Sequence, residues 1–217
     1  MFRFSRAVAA AAALLVVSHD AESKPIAYAK GTTAMAEYGA GTMNEAQLFY
    51  APRYFYSAGI GHLALQSDID SRTRDITYAR LNYLVKRWNG ESSQGNVFLW
   101  GGAGRAHIGG EGDVFAWNAG AQADYETRRL YASLKTDFHE ASAFSHRIDT
   151  VQLGIAPYEH DYDTVATWIV VQGRRYTGEI HDGTEWAFLL RLFKGNAWIE
   201  AGATTDGNVQ AMLMFNF

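Results

Sequence analysis

The sequence has no cysteine among its 217 residues and only 3 prolines. The absence of cysteine excludes a disulfide framework, a zinc–cysteine site and a lipid anchor attached through a thiol. Basic residues are also few, with 19 lysines and arginines against 23 acidic residues. Because this balance leaves no basic stripe along the chain, the sequence does not favour nucleic acid as a partner.

Long apolar runs are missing as well. The longest uninterrupted one covers residues 7 to 17, and the best later stretch, residues 165 to 171, has the length of a strand. A helix that crosses a bilayer needs about 20 apolar residues, so neither stretch can be such a helix. Since lipid cannot satisfy unpaired backbone groups, a membrane-spanning form of this chain can only be a closed β-barrel.

The first residues have the pattern of a secretory signal peptide. Arg3 and Arg6 precede the apolar run, and small residues suited to a signal peptidase follow it. We predict that residues 1–23 are this signal, with cleavage after Ser18 or after Ser23. Residues 24–217 are then predicted to form a single barrel domain, because no linker, repeat or low-complexity block divides them.

What the sequence does contain is apolar–polar alternation with a period of two. Across residues 115 to 126, one set of alternate positions carries Phe115 and Trp117, while the other carries Asn118 and Asp124. A period of two places the two sets on opposite faces of a strand. The pattern therefore indicates an all-β protein.

Twelve strands are predicted from this alternation and from the turn residues between segments. An even number of strands with short connections is typical of a closed antiparallel transmembrane barrel, here with a backbone diameter of about 24 Å. The predicted strands are residues 31–38, 44–50, 54–66, 75–88, 96–107, 114–126, 129–140, 147–158, 164–176, 185–194, 196–204 and 207–217.

Charged residues occur in the middle of strands, on the faces opposite the apolar ones. We predict that these polar faces line the lumen and that the apolar faces meet lipid. The predicted lumen-facing residues are Arg80, Lys86, Asp124, Glu126, Arg129, Lys135, Asp137, Arg174, Glu185, Arg191 and Glu200. Because acids and bases are nearly balanced among them, mutual pairing is favoured over a selectivity ring of one sign.

The last nine residues, 209–217, alternate apolar and other side chains and end in phenylalanine. This run resembles the closing strand of bacterial outer-membrane β-barrel proteins. The resemblance implies a location in the outer membrane, with membrane lipid and lipopolysaccharide as neighbours. It also implies that Phe215 and Phe217 belong to a signal read by the barrel-assembly machinery.

Histidine and serine supply the weaker candidates for chemistry. His139, Ser142, Ser145 and His146 lie close together in the sequence and could form a hydrolytic site, provided that a base reaches a nucleophile. His107, together with His139, His146 and His181, falls near predicted loops and could bind a divalent metal. Neither set has a characteristic spacing, and no cofactor is predicted.

Glycine invites one misleading interpretation. Gly101, Gly102 and Gly104 look like a phosphate-binding loop in isolation, but neither a helix pattern nor a lysine–serine pair follows them. Glycines within a barrel strand more plausibly allow bending or close side-chain packing.

The leading functional hypothesis is a non-enzymatic outer-membrane protein that acts as a small porin-like passive channel for small solutes or as an accessory envelope protein. One alternative is an outer-membrane hydrolase that modifies lipid or lipopolysaccharide. Another is a metal-related surface binder that uses the loop histidines.

Overall fold

The computed structural model describes residues 29–109, 112–159 and 164–217. The predicted signal segment and both predicted cleavage positions lie outside these residues. Within the described ranges, no helix is both long and apolar enough to cross a membrane.

The described residues form twelve strands and no helix, as the alternation predicted. Every strand end lies within three residues of its predicted position. The strands are β1 (Gly31–Gly39), β2 (Met43–Arg53), β3 (Tyr56–Gln66), β4 (Thr73–Asn89), β5 (Ser93–Ile108), β6 (Gly112–Thr127), β7 (Leu130–Ala141), β8 (Phe144–Ile155), β9 (Ala166–Gly178), β10 (Gly183–Lys194), β11 (Ala197–Thr204) and β12 (Val209–Asn216).

Each strand pairs with the next in antiparallel orientation, and β1 pairs with β12 to close the barrel. At this closing seam the Thr33 hydroxyl donates a hydrogen bond of 2.7 Å to Asn216 Oδ1. Beyond it, Thr32 and Phe217 exchange two backbone hydrogen bonds of 2.6 and 2.9 Å. The sheet therefore has no open edge, which confirms the predicted fold class.

The two ends of the barrel carry different parts of the chain. We call the end that holds Gly31 and Phe217 the terminal end, and the opposite end the far end. The far end carries, among others, residues 67–72 between β3 and β4 and residues 179–182 between β9 and β10. These two loops leave the barrel on opposite sides, since six strands separate them in the closed order.

Apolar side chains cover the outside of the barrel and polar side chains point inward. Trp117, Leu134 and Leu213 are 45%, 63% and 43% exposed, while Asp124 is only 6% exposed. A water-soluble barrel would show the reverse arrangement. The prediction that the apolar face is the outer face is therefore confirmed.

Several inward-facing glycines make room for large side chains. A Cβ at Gly120 would lie 2.5 Å from the Trp100 ring and 2.4 Å from the Thr136 carbonyl oxygen, and one at Gly61 would lie 2.3 Å from the Tyr78 ring. Such distances are below van der Waals contact. The interpretation of strand glycines as packing devices thus holds at these two positions.

We predict that Gly120→Val destabilises the barrel by about 2 kcal/mol, because the added methyl groups overpack the space that holds Trp100. Gly101→Val is the matched control, since the nearest atom to a Cβ at Gly101 is 4.0 Å away. Urea unfolding in lipid vesicles measures both variants. Equal stability of the two variants would contradict the packing role of Gly120.

Candidate functional site: the barrel lumen

The middle of the lumen contains a polar cavity of about 140 Å³. Its walls come from most strands of the barrel, and charged and amide side chains dominate them. The charged groups that line it are Glu37, Arg80, Asp124, Glu126, Lys135, Arg174, Arg191 and Glu200. Asp137 and Glu185, also predicted to face inward, are buried inside the barrel next to this cavity.

Lys86 does not face the lumen, and here the sequence prediction needs correction. The register between β4 and β5 shifts between Leu84 and Lys86, which places Lys86 opposite Val97 on the outer side. Such a bulge inserts one residue into the strand, so the residues that follow it in the strand point to the opposite side of the wall from the side that simple alternation predicts. Lys86 is therefore exposed near the terminal end, and Arg87 points inward, where its Nε donates to Asn96 Oδ1 at 2.7 Å.

Arg191 and Glu200 form the central pair of one lumen network. Arg191 Nε donates to Glu200 Oε2 at 2.6 Å, and both side chains are almost completely buried. The guanidinium also lies between the rings of Tyr131 and Trp198, 4.4 and 4.3 Å from their centroids. Stacking on two rings and pairing with a carboxylate hold this cation in place.

A chain of amides extends from that pair to Glu185, to which Gln210 donates a hydrogen bond of 3.3 Å. Gln152 accepts a hydrogen bond from Arg191 Nη2 at 2.8 Å and donates to Gln172 at 2.7 Å, and Gln172 donates in turn to Gln210 at 2.7 Å. Above this chain, Arg174 on β9 pairs across the lumen with Glu37 on β1. This pair thus links β9 to β1, which have three strands between them in the closed order.

Asp137 organises the other charged cluster. Its carboxylate lies 2.8 Å from Lys135 Nζ, accepts a hydrogen bond of 2.8 Å from Trp100 Nε1, and lies 4.0 Å from Arg80. The Arg80 guanidinium lies within 5.6 Å of the ring centroids of three aromatic side chains, among them Trp100 and Tyr78. The buried bases of the central lumen therefore all lie close to carboxylates, which compensates the cost of burying charge.

An apolar plug closes the lumen at the far end, and the sequence analysis missed it. Inward-facing side chains of several strands and one loop pack there without exposure to solvent. The plug consists of Leu63, Leu65, Ile76, Ile108, Phe144 and Ile180, each at most 3% exposed. The signal in the sequence was that Leu63 and Leu65 share one face of β3, the face that lines the lumen, where a polar lumen does not require leucine.

Two loops from opposite sides of the barrel meet above this plug. The Asp68 amide donates a hydrogen bond of 3.3 Å to the Ile180 carbonyl oxygen, and Asp68 Oδ2 lies 2.8 Å from His181 Nδ1. The Asp68 carboxylate does not lie in line with the N–H bond of His181 Nδ1, so the contact is electrostatic and is not a hydrogen bond. We call these two contacts the loop bridge.

The loop that carries Asp68 is itself fastened to β4. Asp70 accepts two hydrogen bonds of 2.6 Å from the guanidinium of Arg74 and one of 3.0 Å from the Arg72 amide. These bonds, that of Arg74 foremost, hold the pKa of Asp70 well below its usual range. The first half of the loop bridge is thus anchored at its base.

The residues of the predicted hydrolytic site do not converge. His139 and His146 are directly opposite each other on β7 and β8 and are buried inside the barrel. Ser145, one residue from His146, points to the other side of the wall, where its hydroxyl donates to Glu140 at 2.5 Å. Ser142 lies exposed in the turn. Because neighbouring strand residues face opposite ways, closeness in the sequence does not bring serine and histidine together.

The predicted metal ligands are also separated by the wall. His107 is exposed on the outer side, where Nδ1 lies 2.9 Å from Asp113, whereas His139 and His146 are inside and His181 belongs to the loop bridge. Among the residues the structure describes, no group of three or more histidine or acidic side chains is placed to hold a metal ion.

A closed antiparallel barrel of twelve strands with an apolar outer wall and paired charges inside has the architecture of a transmembrane β-barrel of the outer-membrane type. No protein-family model matches the sequence, and no curated protein matches it.

Some solved structures are similar to this chain in the course of the backbone. A KdgM porin in complex with disordered oligogalacturonate has a TM-score of 0.49 and 8% identity, covering 86% of this chain and 98% of its own. A second KdgM porin structure has a TM-score of 0.47 and 9% identity, with the same coverage. CdiB from Acinetobacter baumannii has a TM-score of 0.27 and 7% identity, covering 88% of this chain and 61% of its own. We infer no solute from these likenesses.

We predict that Glu200→Ala costs about 3 kcal/mol of unfolding free energy, because it leaves the buried Arg191 guanidinium without its carboxylate. Glu159→Ala is the control, since Glu159 faces Arg128 at 3.8 Å in an exposed pair, and such pairs contribute little. Urea unfolding in vesicles measures both. A loss below about 1 kcal/mol at Glu200 would show that the amides and rings alone hold Arg191.

Proposed function

We propose that the protein is an outer-membrane channel that passes small polar solutes and ions passively, and that the structure represents its closed form. The observation that carries the proposal is the cavity of charged and amide side chains in the middle of the lumen, directly beneath the apolar plug. A barrel that only served as a rigid anchor would have no need of a water-accommodating polar cavity in its middle.

The polar walls explain how a solute could be accommodated. Amide and charged groups, such as Gln152, Gln172 and Arg174, can replace part of the hydration shell of a small solute. Because the bases are already paired with carboxylates, the walls are fixed in position and need little reorganisation when a solute enters. The cavity of about 140 Å³ limits the solute to a small one unless side chains move.

Passage requires that the far end opens. The apolar plug excludes water and the loop bridge covers it, so both must be displaced. Apolar constrictions of this kind close a pore by dewetting. We assign the far end to the cell exterior and both chain termini to the periplasm, which is the arrangement expected for barrels of this class.

The same proposal includes the envelope context. Residues 1–23 serve as the export signal, residues 24–217 form the mature barrel, and Phe215 and Phe217 contribute to recognition by the barrel-assembly machinery. Outer-membrane lipid and lipopolysaccharide surround the apolar wall.

Planar-bilayer conductance tests the channel. We expect rare openings for the natural protein and sustained conductance for the double variant Leu63→Ser/Leu65→Ser, because hydroxyl groups allow water into the plug. Ala64→Ser is the matched control, since Ala64 lies between these leucines on the outward side, and it should behave like the natural protein. If the double variant inserts but stays silent, the channel proposal is wrong.

A further inference from the structure

The loop bridge joins the two sides of the barrel mouth through the two contacts that Asp68 makes. Asp68 belongs to the loop between β3 and β4, and Ile180 and His181 belong to the loop between β9 and β10. Asp68 contacts both of them, through a backbone hydrogen bond of 3.3 Å and a carboxylate–imidazole contact of 2.8 Å. The barrel wall does not need this link for its own closure.

The loop bridge also controls the position of a plug residue. Ile180 has no exposed surface, and it enters the apolar plug together with Leu63 and Ile108. The backbone oxygen of the same residue is the acceptor for Asp68. Moving the loop of residues 179–182 away from Asp68 would therefore also withdraw Ile180 from the plug. The loop bridge and the plug thus open or close together.

One of the two contacts depends on protonation. The imidazole of His181 attracts the Asp68 carboxylate as an ion pair only when it carries a proton, and histidine is the side chain whose charge normally changes between about pH 5 and 8. The side chains of His181 and Asp68 are 18% and 45% exposed, so the pair lies at the water boundary, where protons exchange freely.

The other ionisable groups near the mouth are largely engaged elsewhere. On the loops and on β4, Asp70 is held by Arg74 and Arg72, Asp182 pairs with Arg175 at 2.7 Å, and Glu179 accepts the Ser145 amide at 3.1 Å. Beneath His181, the Tyr176 ring stands edge-on at 4.6 Å and His146 stacks on that ring, with His139 opposite His146. Asp68 carries a carboxylate that lies within ion-pair distance of the His181 ring.

We propose that the loop bridge is a pH-sensitive latch that closes the channel when His181 is protonated. This inference rests on the proposed channel function. A charged His181 imidazole faces the Asp68 carboxylate only in the closed form, so closure is favoured when the ring carries a proton.

Single-channel recording at pH 5.5 and pH 8.0 tests the latch. For the natural protein we expect the ratio of open to closed time to rise about three- to fivefold at pH 8.0, the scale of one partly exposed ion pair. Asp68→Asn and His181→Gln should each remove most of this pH dependence and raise the open fraction at pH 5.5.

The control is an equivalent pair away from the mouth. His107 and Asp113 approach to 2.9 Å on the outer wall, so His107→Gln should leave the pH dependence unchanged. A pH response that survives in both Asp68→Asn and His181→Gln would overturn the latch and point to the buried histidines, while the channel would stand. Silence of every variant at both pH values, including Leu63→Ser/Leu65→Ser, would refute the channel itself.

Discussion

The pairing of β1 with β12 is the constraint on which the rest of the structure depends. An open sheet would present two rows of unsatisfied backbone groups to lipid, at a cost of several kcal/mol for each group. The seam removes both edges, and its last bonds join Thr32 to Phe217. Once the sheet is closed, every strand residue has one of two environments, the membrane or the lumen, and its position in the alternation decides which.

This division makes the lumen behave as a folded core built from polar groups. Arg174, Arg191 and Asp137 each contact an oppositely charged group. The Arg174–Glu37 pair links β9 to β1 across the lumen, whereas Arg191 and Glu200 face each other on the adjacent strands β10 and β11. Aromatic rings and inward glycines complete the packing around them, as Trp100 and Gly120 show. A lumen filled in this way has fixed walls and a small cavity, in contrast to a wide water-filled pore.

At the far end of the barrel, that cavity is covered. There the inward-facing positions are apolar, and two loops from opposite sides meet over them through Asp68 and His181. Solvent-exposed loop contacts are weaker than strand pairing, so the mouth can change state while the barrel stays intact. The strand geometry also argues against the hydrolytic alternative, since Ser145 and His146 lie on opposite sides of the wall.

The sequence by itself determined the class of fold, the strands and the side of the wall that most residues face, because a period of two is a local property. The alternation over residues 115 to 126 predicted most of β6, and Asp124 and Arg191 were assigned to the lumen correctly. It did not determine the facing of Lys86, because a bulge depends on how two strands pair. Only the tertiary structure decided which charges pair, that apolar side chains close one end, and that Asp68 meets His181. These are contacts between residues far apart in the chain, and they exist only because barrel closure brings opposite strands and loops to one axis.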